Sequence, residues 1–332
     1  MIDIERISFE DARRLAQEYA MVLPIEQSEV WSNYQATIPG REPWGVLAIS
    51  KDKVLLAILS CIAYHTHGYT YLRSLHGPVW VSQPTKETEA AVLQELQKFI
   101  RATDKSVVFI RLGAWYDTVA QPVLSTIPYD STVVVPLEGT SDEILAQMRK
   151  RGRYDVRKAL RESPAECADE TQQAIQSFDE YYQVMVDTAH RDGFTPASKN
   201  TYHDMLTTLG TEHCRLYAGR INGEISNWCI ITINDNRAVY YYGCMRTDMR
   251  KLRAPDKLFF FIFNDLAQQG IRSIDLMGIG SDNYPALNTL NQFKTKFTEE
   301  ITAVAPDRDV PVQSVMYRTL QILKNAKNLL KK

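Results

Sequence analysis

One order of turns, strands and helices runs through this chain twice, and it limits the possible folds more than any single motif does. A turn at Lys51-Asp52-Lys53 leads into a long apolar strand over 54–64, a second strand over 69–75, a helix over 86–101 and a strand over 107–112. In the second half, Asn222-Gly223 is a hairpin turn between strands over 214–221 and 224–233. A strand over 238–245, a helix over 255–269 closed by Gly270, and a strand over 274–277 follow. The two copies are offset by about 170 residues, the length of one domain. Antiparallel strands that give way to a strand–helix–strand unit require a mixed sheet with helices packed on it. The expected class is therefore α/β, of mixed α+β character, in two tandem domains.

Composition supports two cores and narrows the function classes. The chain has 332 residues, 45 % of them hydrophobic, and 23 % charged, which excludes a disordered or membrane-embedded protein. Its longest apolar run, over 54–64, contains Ser60 and is too short to span a bilayer. A net charge of −2 excludes a globally basic nucleic-acid coat, so any polyanion site is local. Cys61, Cys167, Cys214, Cys229 and Cys244 are scattered, with no Cys-x-x-Cys pair, as expected in a reducing cytosol and not in a disulfide framework. His65 and His67 have no third and fourth ligand nearby, so no metal site is expected. The first residues carry no signal-peptide pattern, and the expected location is the cytoplasm.

The repeated order is the outline of a GNAT-like N-acyltransferase domain, expected at 1–140 and again at 141–310, each a mixed sheet flanked by helices. The tail, 311–332, reads as an amphipathic helix with Val315, Met316, Leu320, Leu323, Ala326 and Leu330 on one side, expected to pack back on the first domain. Lys324, Lys327, Lys331 and Lys332 also suit anionic head groups, hence a peripheral contact at the inner membrane face. At the seam lies a stretch with seven basic residues, Arg149, Lys150, Arg151, Arg153, Arg157, Lys158 and Arg161. Lys150, Arg153, Arg157 and Arg161 share a helical face opposite Ile144, Leu145, Met148, Val156, Ala159 and Leu160. Such a stripe suits a phosphate-rich partner.

A coenzyme A pyrophosphate requires a glycine-rich turn at the start of the crossover helix, because backbone N–H groups must approach the phosphates closely. The two corresponding places read Arg250-Lys251-Leu252-Arg253-Ala254-Pro255 and Val81-Ser82-Gln83-Pro84-Thr85, without glycine. No coenzyme A is expected, and the acyl donor must be of another kind.

The chain resembles the FemABX family of peptidoglycan non-ribosomal peptidyltransferases over nearly its whole length. The resemblance rests on Arg153-Tyr154-Asp155-Val156-Arg157-Lys158-Ala159, Ile274-Asp275-Leu276-Met277-Gly278-Ile279 and Phe293-Lys294-Thr295-Lys296-Phe297. Leu75-His76-Gly77-Pro78-Val79 and Thr188-Ala189-His190-Arg191-Asp192-Gly193-Phe194 stand in the family's order as well. No long heptad stretch interrupts the second half, as in the shorter members without a coiled-coil arm. The resemblance implies transfer of an amino acid from aminoacyl-tRNA to the side-chain amine of a stem peptide, carried on a UDP-linked or lipid-linked peptidoglycan precursor. It implies neither DNA nor a bound cofactor.

An aminoacyl ester is already an activated donor, whereas a lysine-type acceptor, with an ordinary pKa of about 10.4, must lose a proton before it attacks. Lys294, in the Phe-Lys segment, is implied as the group that meets an oxyanion, phosphate or carboxylate, with Asp275 and Asp117 as candidate bases. Tyr240 and Tyr242 are expected on one strand face, where the resemblance implies contact with the acceptor, with Tyr241 as packing. Phe293, Lys199 and Tyr202 complete the substrate-binding set, and Lys150, Arg153, Arg157 and Arg161 are the tRNA-binding set. The family's arginine after the Asp-Gly-Phe turn is missing, since Thr195-Pro196-Ala197-Ser198-Lys199 offers only Lys199, and no lysine follows Trp31 closely. Two other readings stay open: an acyltransferase with another donor or amine acceptor, and a non-catalytic RNA- or precursor-binding protein of the same fold.

Overall fold

Each copy folds around the hairpin that its turn dictates. Asp52 and Lys53 take φ of 50° and 71°, and Asn222 and Gly223 take 52° and 83°, the left-handed pair that matches the twist of two antiparallel strands. The computed structural model describes residues 1–329 and separates into two units, residues 1–130 with the segment from Val304 onward, and Ser131–Ala303. These limits differ from those expected at 140 and 310, because backbone pairing decides them. Strand Ser131–Pro136 pairs with Ser273–Gly278 and so belongs to the second unit, while Asp307–Pro311 pairs with Val107–Gly113 in the first.

The first-unit sheet runs Ile2–Ile7, Arg41–Lys51, Val54–Thr66, Tyr69–Arg73, Val107–Gly113, Asp307–Pro311, Gln121–Pro122, with the short Val79–Trp80 paired to Val54–Thr66. Tyr69–Arg73 and Val107–Gly113 are parallel, joined by the crossover helix Lys86–Thr103. Thr85 caps that helix, and its Val92, Leu93, Leu96 and Ile100 fill the core with Leu47, Ile49, Leu59, Leu72 and Ile110. On the opposite face, helix Phe9–Glu18 packs Ala12 and Ala16 on Val46, Leu55 and Ile58.

The C-terminal helix Ser314–Leu329 lies on the first unit by a different side from the one expected. Tyr317 is buried against Phe109, Leu320 packs beside it, Gln321 bonds Gln121, and the Lys324 ammonium donates to the Val123 carbonyl. Val315, Met316, Leu323 and Ala326 are exposed instead. Buried polar partners on Asp307–Pro311 and the loop below it chose the Tyr317 side, which hydropathy alone ranks lower. Leu330, Lys331 and Lys332 lie outside the described residues.

The second-unit sheet runs Thr302–Ala303, Ser131–Pro136, Ser273–Gly278, Arg237–Met245, Glu224–Asn234, Cys214–Ile221, Glu166–Asp169. Helix Ala254–Gln268 starts with Pro255 in its first turn and stops before Gly270, at φ 82°. Its Leu258, Phe259, Ile262, Phe263 and Leu266 cover Val133, Ile231, Ala238, Ile274 and Leu276. Helices Asp179–Asp192 and Lys199–His213 cover the other face through Tyr181 and Tyr202, which with Phe178 surround the buried Trp228.

Candidate active site

The site begins with one extra residue in a strand. Tyr240 lies opposite Ile231 and Tyr242 opposite the preceding Ile230, so Tyr241 is the additional residue of a β-bulge. The bulge inverts the alternation and corrects the expectation that Tyr240 and Tyr242 share a face. Tyr240 turns to Phe259 of the crossover helix, with ring centroids 5.1 Å apart, while Tyr242 meets Tyr202 on the other side at 4.9 Å. Gly243 makes room for this arrangement, since a Cβ there would stand 2.0 Å from the Tyr240 hydroxyl.

Where the strand breaks, a cavity of about 410 Å³ opens. All three tyrosines line it, together with Tyr202, Gly243, Met277, Phe293 and Lys294. Tyr241, expected as packing, is thus part of the wall. The segment Phe194–Ala197 forms another wall, placed by Gly193 at φ 73°, which ends the helix Asp179–Asp192. Burial pushes the Tyr202 phenol up to about 12 and holds Tyr240 well above its ordinary value, so both are neutral hydrogen-bonding groups near pH 7.

Lys294 is the only charged residue among those that line the cavity, and no carboxylate is among them. It closes the short helix Asn288–Lys294 and is 7 % exposed. Asn291 ties that helix to the strand end by bonding both the N–H and the C=O of Gly280. The Lys294 ammonium donates to the Gly278 carbonyl at 2.9 Å and the Met277 carbonyl at 3.3 Å, using two of its three N–H groups. Desolvation lowers its pKa to about 8, against the opposing pull of Asp275.

Asp275 does not line the cavity. Its carboxylate accepts from the Thr132 hydroxyl and from the Met277 N–H at 2.8 Å, which holds Met277 at φ 62°. It acts on Lys294 through charge and through the Met277 carbonyl that it positions. Asp117 is exposed in a loop of the first unit and is not among the lining residues either. Lys199 is engaged elsewhere, donating to Asp179 at 2.6 Å on the surface. The resemblance and the strand pattern put Lys294, Phe293, Tyr202, Tyr240 and Tyr242 in the expected site, and all five line this one cavity.

The basic helix, Lys150–Glu162, is held against the Lys294 segment. A Cβ on Gly152 would stand 2.1 Å from the Lys296 carbonyl oxygen, and the Arg149 N–H donates to that oxygen at 3.1 Å. The Arg149 guanidinium reaches the carbonyls of Thr298 and Glu299. Lys296, absent from the expected site, is buried among Asp256, Asp155 and the rings of Phe293 and Phe297, 4.6 and 5.2 Å from its ammonium. Its signal in the sequence was a second lysine between two phenylalanines, with an aspartate on the facing helix. The stripe itself needs two corrections. Arg153 spends its guanidinium on the carbonyls of Ala146 and Met148, ending the helix before it, and Leu160 is exposed, not buried. Lys150, Arg157 and Arg161 remain exposed.

Known proteins share this architecture. Residues 146–285 match the model of the acetyltransferase (GNAT) domain, while comparison with curated proteins gives no match. The solved structure of FemX is 12 % identical, covers 96 % of this chain and 99 % of its own, and has a TM-score of 0.72. L-PGS from Bacillus licheniformis is 12 % identical over 97 % of each chain, with a TM-score of 0.54. A tandem GNAT protein from the clavulanic acid biosynthesis pathway is 8 % identical over 94 % of this chain and 99 % of its own, at 0.51. A tandem pair of GNAT-type α/β units, this chain is FemX-like in fold, with the acetyltransferase (GNAT) domain match in its second unit.

Proposed function

We propose that the protein is an aminoacyltransferase that moves an amino acid from aminoacyl-tRNA to the side-chain amine of a peptidoglycan precursor, UDP-linked or lipid-linked. The observation that carries this reading is a single buried cation, Lys294, in an aromatic cavity without a carboxylate. The neutral amine attacks the ester carbonyl, and a C–N bond forms as the carbonyl oxygen gains negative charge. The remaining N–H of Lys294 stabilises that oxyanion in a low-dielectric setting. The ester C–O bond then breaks, and the amine proton passes to the departing ribose oxygen. Tyr202, Tyr240, Tyr241 and Tyr242 offer hydroxyls and ring faces to the acceptor. Lys150, Arg157 and Arg161 hold the donor's phosphates, with Arg153 fixing the turn beneath them. No coenzyme A takes part, since Arg250–Leu252 and Arg253 at the start of the crossover helix include no glycine.

Transfer is measured with charged tRNA and a stem-peptide precursor, with acetyl-CoA in parallel. Transfer from tRNA that Lys294→Met removes is expected. Transfer from acetyl-CoA alone supports instead an acyltransferase with another donor, the reading that the tandem GNAT likeness favours. No transfer from any donor marks a binding protein of the same fold.

A further inference from the structure

Four of the 16 large apolar side chains that the described residues leave exposed stand on one helix, the C-terminal one. Val315 is 82 % exposed, Ile322 68 % and Leu323 60 %, with Met316 beside them. The spacing of 315, 316, 319, 322, 323 and 326 places these positions along one side of a helix. Tyr317, Leu320 and Gln321, on the other side, hold the helix to the first unit, so the apolar side cannot be core for that unit.

We propose that this side of the C-terminal helix is a membrane-docking surface that lies in the head-group region of an anionic bilayer. Charge selects this occupant. After Asp309 the sequence has no acidic residue and carries Arg318, Lys327, Lys331 and Lys332, besides Lys324, whose ammonium is held on the Val123 carbonyl. An apolar stripe accompanied only by cations is the pattern of an interfacial helix, which buries its apolar side among acyl chains while its cations meet anionic head groups. A second copy of the chain would bring this cationic segment against itself, and RNA would leave Val315, Ile322 and Leu323 in water. The helix crosses nothing: among the described residues none is long and apolar enough to span a membrane. This surface shares no residue with the cavity around Lys294, so the two proposals fail separately.

The test is cosedimentation of the full chain with vesicles of phosphatidylcholine, alone or mixed equally with phosphatidylglycerol. Binding to the mixed vesicles is expected, weakening as salt rises. Ile322→Glu with Leu323→Glu should lower partitioning at least about tenfold while leaving circular dichroism and Tm unchanged. Should that variant lose its melting transition, Val315→Ser probes the same side at its most exposed position. Three results would overturn the proposal: no binding of the wild type to anionic vesicles, undiminished binding of the folded variants, or a wild-type dimer that the variants dissolve.

Discussion

The two tyrosine-bearing strands, Tyr69–Arg73 and Arg237–Met245, occupy the same place in their units, and the protein treats them in opposite ways. Each follows a hairpin and runs parallel to the strand beyond the crossover helix. In the first unit the pairing of 62–66 with 69–73 is regular, and the tyrosine face is sealed. Tyr71 stacks on Phe109 at 4.8 Å, Tyr317 of the C-terminal helix meets Phe109 at 5.4 Å, and Arg111 and Asp309 pair beneath them. In the second unit a bulge splits the tyrosines between two faces and leaves a cavity with a cation in it. The two units share one strand arrangement, but the first closes the tyrosine face and the second opens a cavity there.

If the first strand is sealed by its ion pair, breaking one partner should produce the largest effect in the molecule. Arg111 donates to both oxygens of Asp309, at 2.7 and 3.0 Å, and Tyr317 and the Leu124 N–H bond the same carboxylate. Arg111→Leu should cost about 3–5 kcal/mol in chemical denaturation, because a buried carboxylate loses its charge partner. A loss below about 1 kcal/mol would show that the sealing does not depend on the pair.

The open strand is tested at its cation. Lys294→Met should lower kcat for transfer by about 10²–10³ with the fold intact, as loss of one oxyanion donor does. The pH profile sharpens this. Lys294 is protonated below about 8, so transfer should fall as pH rises through that value, and the falling limb should move up in Lys294→Arg. Stability carries the opposite sign. Between about 8 and the ordinary value of 10.5 the unfolded chain binds a proton that the native state has released, so native stability rises with pH across that window. Lys294→Met should lack this rise in denaturation experiments at the two pH limits.

Smaller effects follow at the helix that joins the stripe to the cavity. Gly152→Ala drives a Cβ toward the Lys296 carbonyl and should cost about 1–3 kcal/mol, with transfer reduced as the Lys294 segment shifts. Lys199→Ala removes a surface ion pair and should change stability by no more than about 1 kcal/mol and leave the KM for the acceptor unchanged. A large rise in KM would return Lys199 to the substrate site.

Much of this was legible along the chain. The turns at Asp52-Lys53 and Asn222-Gly223, the crossover helices and the strands around them stand close to where pattern and turn chemistry placed them. Local propensity and hydrophobic period suffice there, because neighbours in sequence satisfy each other. Tyr241, Arg153, Leu160 and the outward side of the C-terminal helix were assigned by period, and Lys199 by the resemblance. A bulge moved Tyr241, backbone carbonyls took Arg153, Asp179 took Lys199, and Tyr317 turned the C-terminal helix, none of which a period records.

The sequence by itself determined the α/β class and the doubling, since these follow from repeated local order, while the resemblance supplied the motif that holds Lys294. Only the tertiary structure decided that Lys294 is buried with two carbonyls, that Asp275 serves it from behind, and that the C-terminal helix turns its apolar side outward. Desolvation, backbone pairing and close approach depend on what lies across space, and no spacing along the chain records that.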